Sequence, residues 1–136
     1  MSDPESVVRA WVDEVWNAGR LERVADFHPP EFLNEGDPST PADAAAWHRR
    51  NRETFPDVAY TIDELVVAGD RVTLRWTARG TQAGMLWDLV APTGRRVAWR
   101  GMHLLTVRGA RIVEVWAVAD LLAMLRGLGL GLELPA

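Results

Sequence analysis

The chain has no cysteine, which excludes disulfides, a thiol nucleophile and any thiolate metal site. Lysine is absent too: all 15 basic side chains are arginine. A Schiff-base mechanism and a P-loop both need a lysine amine, so neither is available. No strong excess of one charge exists, because 19 acidic residues against 15 arginines leave a net charge of -4. The short clusters Arg49-Arg50-Asn51-Arg52 and Arg95-Arg96 do not build the basic stripe that nucleic acid demands. No apolar run approaches the roughly 20 residues of a membrane span. The start, Met1-Ser2-Asp3-Pro4-Glu5, is acidic and polar, unlike a signal peptide. The expectation is a cytoplasmic protein with neither a nucleic-acid nor a membrane partner. Tyrosine occurs once, at Tyr60, but tryptophan seven times. Indoles fill cores, and they also line pockets for flat ligands.

At 136 residues and 48% apolar content, the chain suits a single domain spanning 1–136. Its first half reads as helices. Asp3-Pro4 is a cap followed by proline, and Val7, Val8, Trp11, Val12, Val15 and Trp16 share one helical face up to Asn17-Ala18-Gly19. A short second helix holds Leu21, Val24, Ala25 and Phe27, and His28-Pro29-Pro30 stops it. Glu31 to Asn34 is a short extended piece. Thr40-Pro41-Ala42-Asp43 starts a third helix that runs to Phe55-Pro56. Strands follow: Val58 to Ala68, then Val72 to Ala78 after a Gly69-Asp70 turn of type II′. Met85 to Val90 is a further apolar stretch, closed by Pro92-Thr93-Gly94. Val97 to Val107 and Arg111 to Ala119 form a second hairpin across Gly109-Ala110. A short helix, Asp120 to Arg126, and a Gly/Leu tail over Gly127 to Leu134 finish the chain. Helices followed by an antiparallel meander are an α+β pattern, with a curved sheet wrapped around three N-terminal helices and a cone-shaped cavity between them.

Several strings resemble the SnoaL-like polyketide cyclase family, within the NTF2-like α+β barrels. They are Val15-Trp16-Asn17-Ala18-Gly19, His28-Pro29-Pro30-Glu31-Phe32-Leu33-Asn34, Phe55-Pro56-Asp57, Pro92-Thr93-Gly94-Arg95-Arg96, and Met102-His103-Leu104-Leu105 with Arg111-Ile112-Val113-Glu114-Val115-Trp116 behind it. The resemblance covers about residues 6 to 129. It implies an intramolecular aldol ring closure without metal or cofactor. A carboxylate serves there as acid/base, and a histidine helps to hold the enolate. By the same resemblance, the family's histidine falls on His103, its pocket asparagine on Asn34 and its first-helix aromatic on Trp16. Its last-strand carboxylate falls on Ala117, which cannot exchange a proton. Asp120 has the opposite strand parity and should point away.

Strand alternation sorts the remaining candidates. If His103 faces the cavity, so do Trp99, Gly101 and Leu105, while Arg100, Met102 and Leu104 face outward. On the last strand Val113, Val115, Ala117 and Ala119 face in, and Glu114 and Trp116 face out. The cavity is then apolar with His103 as its main polar catalyst. The second catalytic candidate is Asp37, in an Asp-Pro pair that resembles the general base of ketosteroid isomerases; Glu35 is its substitute. The substrate-binding set is Trp16, Asn34, Trp99, Leu105, Val115 and Ala117. Trp11, Trp47 and Trp76 join the candidates for an aromatic cage. His28 reads as structural and His48 as part of a solvated helix face. The three histidines lack metal-ligand spacing, so no metal is expected. Outward Trp116, Met102 and Leu104 suggest a homodimer through the convex sheet face.

These readings converge on a cofactor-free cyclase acting on a small, hydrophobic, polycyclic, polyketide-type substrate. Ala117 keeps two others open. One is the same pocket used for a cycloaddition, a rearrangement or a hydroxylation. The other is a domain that only binds a small molecule or dimerises.

Overall fold

The computed structural model describes residues 3–131. Helix α1 (Pro4–Trp11) begins where the Asp3 carboxylate accepts from the Ser6 amide at 2.8 Å. It does not continue as a regular α-helix to Trp16. Residues Val12–Asn17 form a π-helical turn, with the Ala18 amide reaching the Asp13 carbonyl at 2.9 Å. Residues five apart diverge on an α-helix, but the wider turn brings them to one side. Trp11 and Trp16 therefore meet edge to face, with ring centroids 4.8 Å apart. A 3₁₀ turn (Leu21–Arg23) leads into the short α2 (Val24–Phe27). Helix α3 (Pro41–Thr54) opens with a reciprocal capping box: the Asp43 amide donates to Thr40 Oγ1, and the Thr40 amide donates to the Asp43 carboxylate, each at 3.2 Å.

Among the described residues, six strands make one curved, unclosed sheet: β1 (Phe32–Asn34), β2 (Asp37–Ser39), β3 (Ala59–Ala68), β4 (Arg71–Thr81), β5 (Arg96–Arg108) and β6 (Arg111–Ala119). Their order is β2-β1-β6-β5-β4-β3. The long strands form an antiparallel meander as expected, but β1 joins β6 in parallel, so the sheet is mixed. A short helix, α4 (Leu121–Gly127), follows; Asp120 caps it through the Ala123 amide at 2.9 Å and so lies outside the last strand. The tail beyond residue 131 lies outside the described residues.

Side-chain alternation on β5 follows the expected parity: Val97, Trp99, Gly101 and Leu105 are buried, and Arg100, Met102 and Leu104 are exposed. One assignment on β6 is corrected. The pairing slips between Thr106 and Val107, so Ile112 takes the buried position opposite Val107 and Val113 becomes the bulged residue. From Val115 onward the register matches the expectation, with Leu105 opposite Val115 and His103 opposite Ala117.

Met85 to Val90 is not a strand. It is a tight loop closed by a bridge between Leu86 and Val90, with Trp87 and Asp88 both at positive φ. Its organiser is Gln82, which is fully buried. The Gln82 amide nitrogen donates to the Gly84, Val90 and Ala91 carbonyls at 3.2–3.3 Å, and its oxygen accepts from Thr93. Gln82 thus satisfies three carbonyls and one amide in a loop whose own ladder is a single bridge.

The strings carrying the family resemblance have visible structural work. Asn17 pairs with Tyr60 in both directions, at 3.0 and 2.7 Å, and ties the π-turn to β3. Arg52 donates to the Trp16 and Asn17 carbonyls. Asp57 holds the end of β4 through the amide and hydroxyl of Thr81.

Candidate active site

The concave face of the sheet and the helices enclose a cavity of about 440 Å³. That is within the range of small-molecule sites. Trp11 and Trp16 supply one wall, Trp76, Trp99, His103, Val115 and Ala117 the sheet wall, and Trp47, His48 and Asn51 the α3 side. Trp47 and Trp87, each about half exposed, stand in the lining as well.

His103 sits among three indoles, with ring centroids 4.9 Å from Trp16 and 6.0 Å from both Trp11 and Trp76. The Trp76 indole N–H donates to His103 Nδ1 at 2.9 Å. Burial pushes the His103 imidazole down to about 4, and the nearby His48 acts in the same direction. His48 is likewise pushed down to about 4 by burial, with His28 and Arg52 adding to it. Both rings are therefore neutral at pH 7. The Tyr60 hydroxyl accepts from Asn51 at 3.1 Å, and burial raises its pKa to about 12. His28 Nδ1 donates to the Ile112 carbonyl at 2.8 Å, and its ring stacks on Phe32. Its structural reading agrees with this geometry, although its ring also touches the cavity lining.

Among the described residues, one carboxylate reaches the lining: Glu35. It sits with Gly36 in the two-residue turn between β1 and β2, and both have positive φ, 54° and 84°. The turn leaves the Glu35 amide on the Val115 carbonyl at 2.9 Å, and Glu35 Oε1 accepts from the Ala117 amide at 2.7 Å. A glutamate from a neighbouring turn thus places its carboxylate beside the alanine that lacks one.

The fold brings Trp16, Asn34, Trp99, His103, Val115 and Ala117 into one lining. Two predicted residues are not there. Leu105 points inward but is fully buried between Val72 and Val115, in the hydrophobic core beyond the cavity. Asp37 is exposed on β2, the edge strand, because the Glu35-Gly36 turn reverses the chain before it. His48 is corrected as well: it faces the cavity rather than a solvated helix face. Trp11, Trp47 and Trp76 do line the cavity. Tyr60, Asn51 and Trp87 belong to the lining without having been singled out. The Asn17 clamp on Tyr60 needs a long-range pairing that no local pattern displays.

A mixed sheet folded over helices, enclosing an apolar cavity with a few converging polar groups, defines a small α+β pocket protein. The profile of the SnoaL-like polyketide cyclase family matches residues 6–128, and the chain belongs to that family. Among solved structures it is similar to IdmH of Streptomyces antibioticus, a proposed polyketide cyclase, at 28% identity over 95% of this chain and 100% of that one, TM-score 0.82. It is similar to AclR of Streptomyces galilaeus, a proposed hydroxylase, at 26% identity over 97% and 88%, TM-score 0.81. TsrD of Streptomyces laurentii aligns at 25% identity over 95% and 98%, TM-score 0.82. No curated protein matches the sequence.

Proposed function

We propose that the chain is a cofactor-independent cyclase that closes a ring in a flat, hydrophobic, polyketide-type substrate by an intramolecular aldol step. The observation that carries this reading is the placement of Glu35 and His103: a carboxylate held on the Ala117 amide, and an imidazole on the residue paired directly with Ala117. Glu35 takes a proton from the carbon beside a ketone. Polar groups of the wall hold the enolate oxygen, and the carbon attacks a second carbonyl of the same molecule. The new alkoxide takes the proton back from Glu35, so the product is an isomer of the substrate until water is lost. Asp37, exposed on the edge strand, has no part in this sequence. Trp16 and Trp99 hold the flat body, and Asn34 offers its amide to a ligand oxygen or hydroxyl.

The test is incubation with a panel of linear and partly cyclised polyketide esters, followed by mass spectrometry. Ring-closed isomers or their dehydrated forms support the proposal. The likeness to AclR favours a second reading, hydroxylation in the same pocket; it consumes molecular oxygen and a two-electron reductant, releases water, and gives a product heavier by one oxygen atom. Ligand binding with no turnover of any panel member favours a domain that only binds.

A homodimer is the proposed assembly. Trp116, Met102, Leu104 and Val118 are 41%, 45%, 40% and 73% exposed on adjacent outward positions of β5 and β6. A second copy covering this face removes a contiguous apolar patch from water.

A further inference from the structure

The Trp76–His103 contact constrains more than packing. An indole nitrogen can only donate. Its bond to His103 Nδ1 at 2.9 Å therefore requires that nitrogen to be bare, and a neutral imidazole must then carry its proton on Nε2. Turning the ring over sets a carbon against the indole N–H and leaves a buried donor without a partner, which is costly. Nε2 has no protein partner among the described residues. It is also not one of the sealed polar atoms, which are the indole nitrogens of Trp11 and Trp16. It is therefore open to the cavity that His103 lines.

Gly101 makes this arrangement possible. It pairs directly with Trp76 across β4 and β5. A Cβ there would run into the six-membered ring of the Trp76 indole. The bare backbone lets the indole lie flat across β5 and reach the histidine two residues along.

We propose that Trp76 is a positioning residue that locks His103 in the Nε2–H tautomer, so that the cavity receives a ligand's ketone or enolate oxygen on a fixed donor. The inference rests on the cavity being a ligand site, and it refines the reading above. His103 cannot be the base, since its cavity-facing nitrogen already holds a proton. A ligand offering only a donor at this point finds no acceptor. The Tyr60 hydroxyl, which already accepts from Asn51, keeps its proton for a second acceptor.

The tautomer can be read directly. In ¹⁵N-labelled protein at pH 7, long-range proton–nitrogen spectra, assigned with His103→Asn, should show a protonated Nε2 and a bare Nδ1. They should also show coupling across the bond from the Trp76 indole. A protonated Nδ1, or exchange averaging of the two forms, overturns the proposal. In Trp76→Phe the averaging should appear. The second measurement is binding of 2-acetylnaphthalene against 2-ethylnaphthalene, followed by tryptophan fluorescence. The ketone should bind about tenfold tighter to the wild type, the scale of one well-made hydrogen bond. That preference should fall below about threefold in Trp76→Phe. An equal preference in both proteins overturns the proposal while leaving the pocket reading intact. If neither compound binds, the pocket reading fails, and the tautomer spectrum, which needs no ligand and no variant fold, decides the inference by itself.

Discussion

His103 and Glu35 reach the same cavity by different means. His103 is fixed by strand register: it lies opposite Leu74 and Ala117, two positions along from Gly101, among three indoles and with one ring nitrogen on Trp76. Glu35 is fixed by a turn. A left-handed backbone and one hydrogen bond to Ala117 hold an exposed carboxylate at the rim. The first arrangement is dry and suits a neutral donor. The second is open to solvent and leaves a carboxylate at the edge of the cavity. In the mechanism proposed above, the separation of the two environments gives one small cavity both a proton donor and a proton acceptor.

The sharpest way to break that comparison is to alter the rim carboxylate while keeping its hydrogen bond. Glu35→Gln retains an oxygen for the Ala117 amide. It should leave the melting temperature nearly unchanged and lower turnover by about a hundredfold or more, the scale of a general base. Asp37→Asn, two residues away on the same hairpin, should change turnover less than about twofold. Equal effects from the two changes in a steady-state assay would remove the distinction between rim and edge.

The dry wall should respond through packing. Gly101→Ala drives a methyl into the Trp76 indole, which should cost about 1–3 kcal/mol in urea unfolding. It should also weaken the Trp76–His103 bond. A pH series probes the same cavity from its sheet wall and its α3 side. His103 and His48 hold pKa values of about 4 in the fold against an ordinary value of 6.5. As pH falls below 6.5 the unfolded chain takes up protons that the folded chain refuses until about 4. Stability should therefore be greatest above pH 6.5 and decline across that window, by about 3 kcal/mol for each of the two histidines. His48→Gln should flatten the slope, as read from urea midpoints at pH 7 and pH 5. The smallest effect on the site itself is expected from Trp116→Arg. It should dissociate the proposed homodimer in sedimentation experiments while leaving ligand affinity within about twofold.

The difference between the two residues also explains what could be read from the sequence. Strand alternation has a period of two, so one inward residue fixes its neighbours. That logic placed His103, Trp99, Val115 and Ala117 on one wall, and it failed only where a bulge shifts Val113. Parity gives direction but not depth, which is why Leu105 points inward yet lies in the core. Turns carry no such period. The positive φ of Glu35 sends Glu35 to the cavity and Asp37 to an edge strand, against an expectation built on an Asp-Pro pair. His48 was hidden for a related reason: the Arg-rich run around it suggests solvent, and only packing against the sheet reveals which face of α3 is enclosed. The π-turn that aligns Trp11 with Trp16 has no sequence signature beyond the five-residue spacing itself.

The claim at the centre of this account is that Glu35 moves a proton beside a ketone held in the cavity. Exchange of the methyl protons of 2-acetylnaphthalene in deuterium oxide, followed by NMR, measures that step without the natural substrate. The account predicts that the wild type accelerates exchange and that Glu35→Gln slows the accelerated rate about a hundredfold or more. Exchange in Glu35→Gln at the wild-type rate, with the ketone bound equally well, would contradict it.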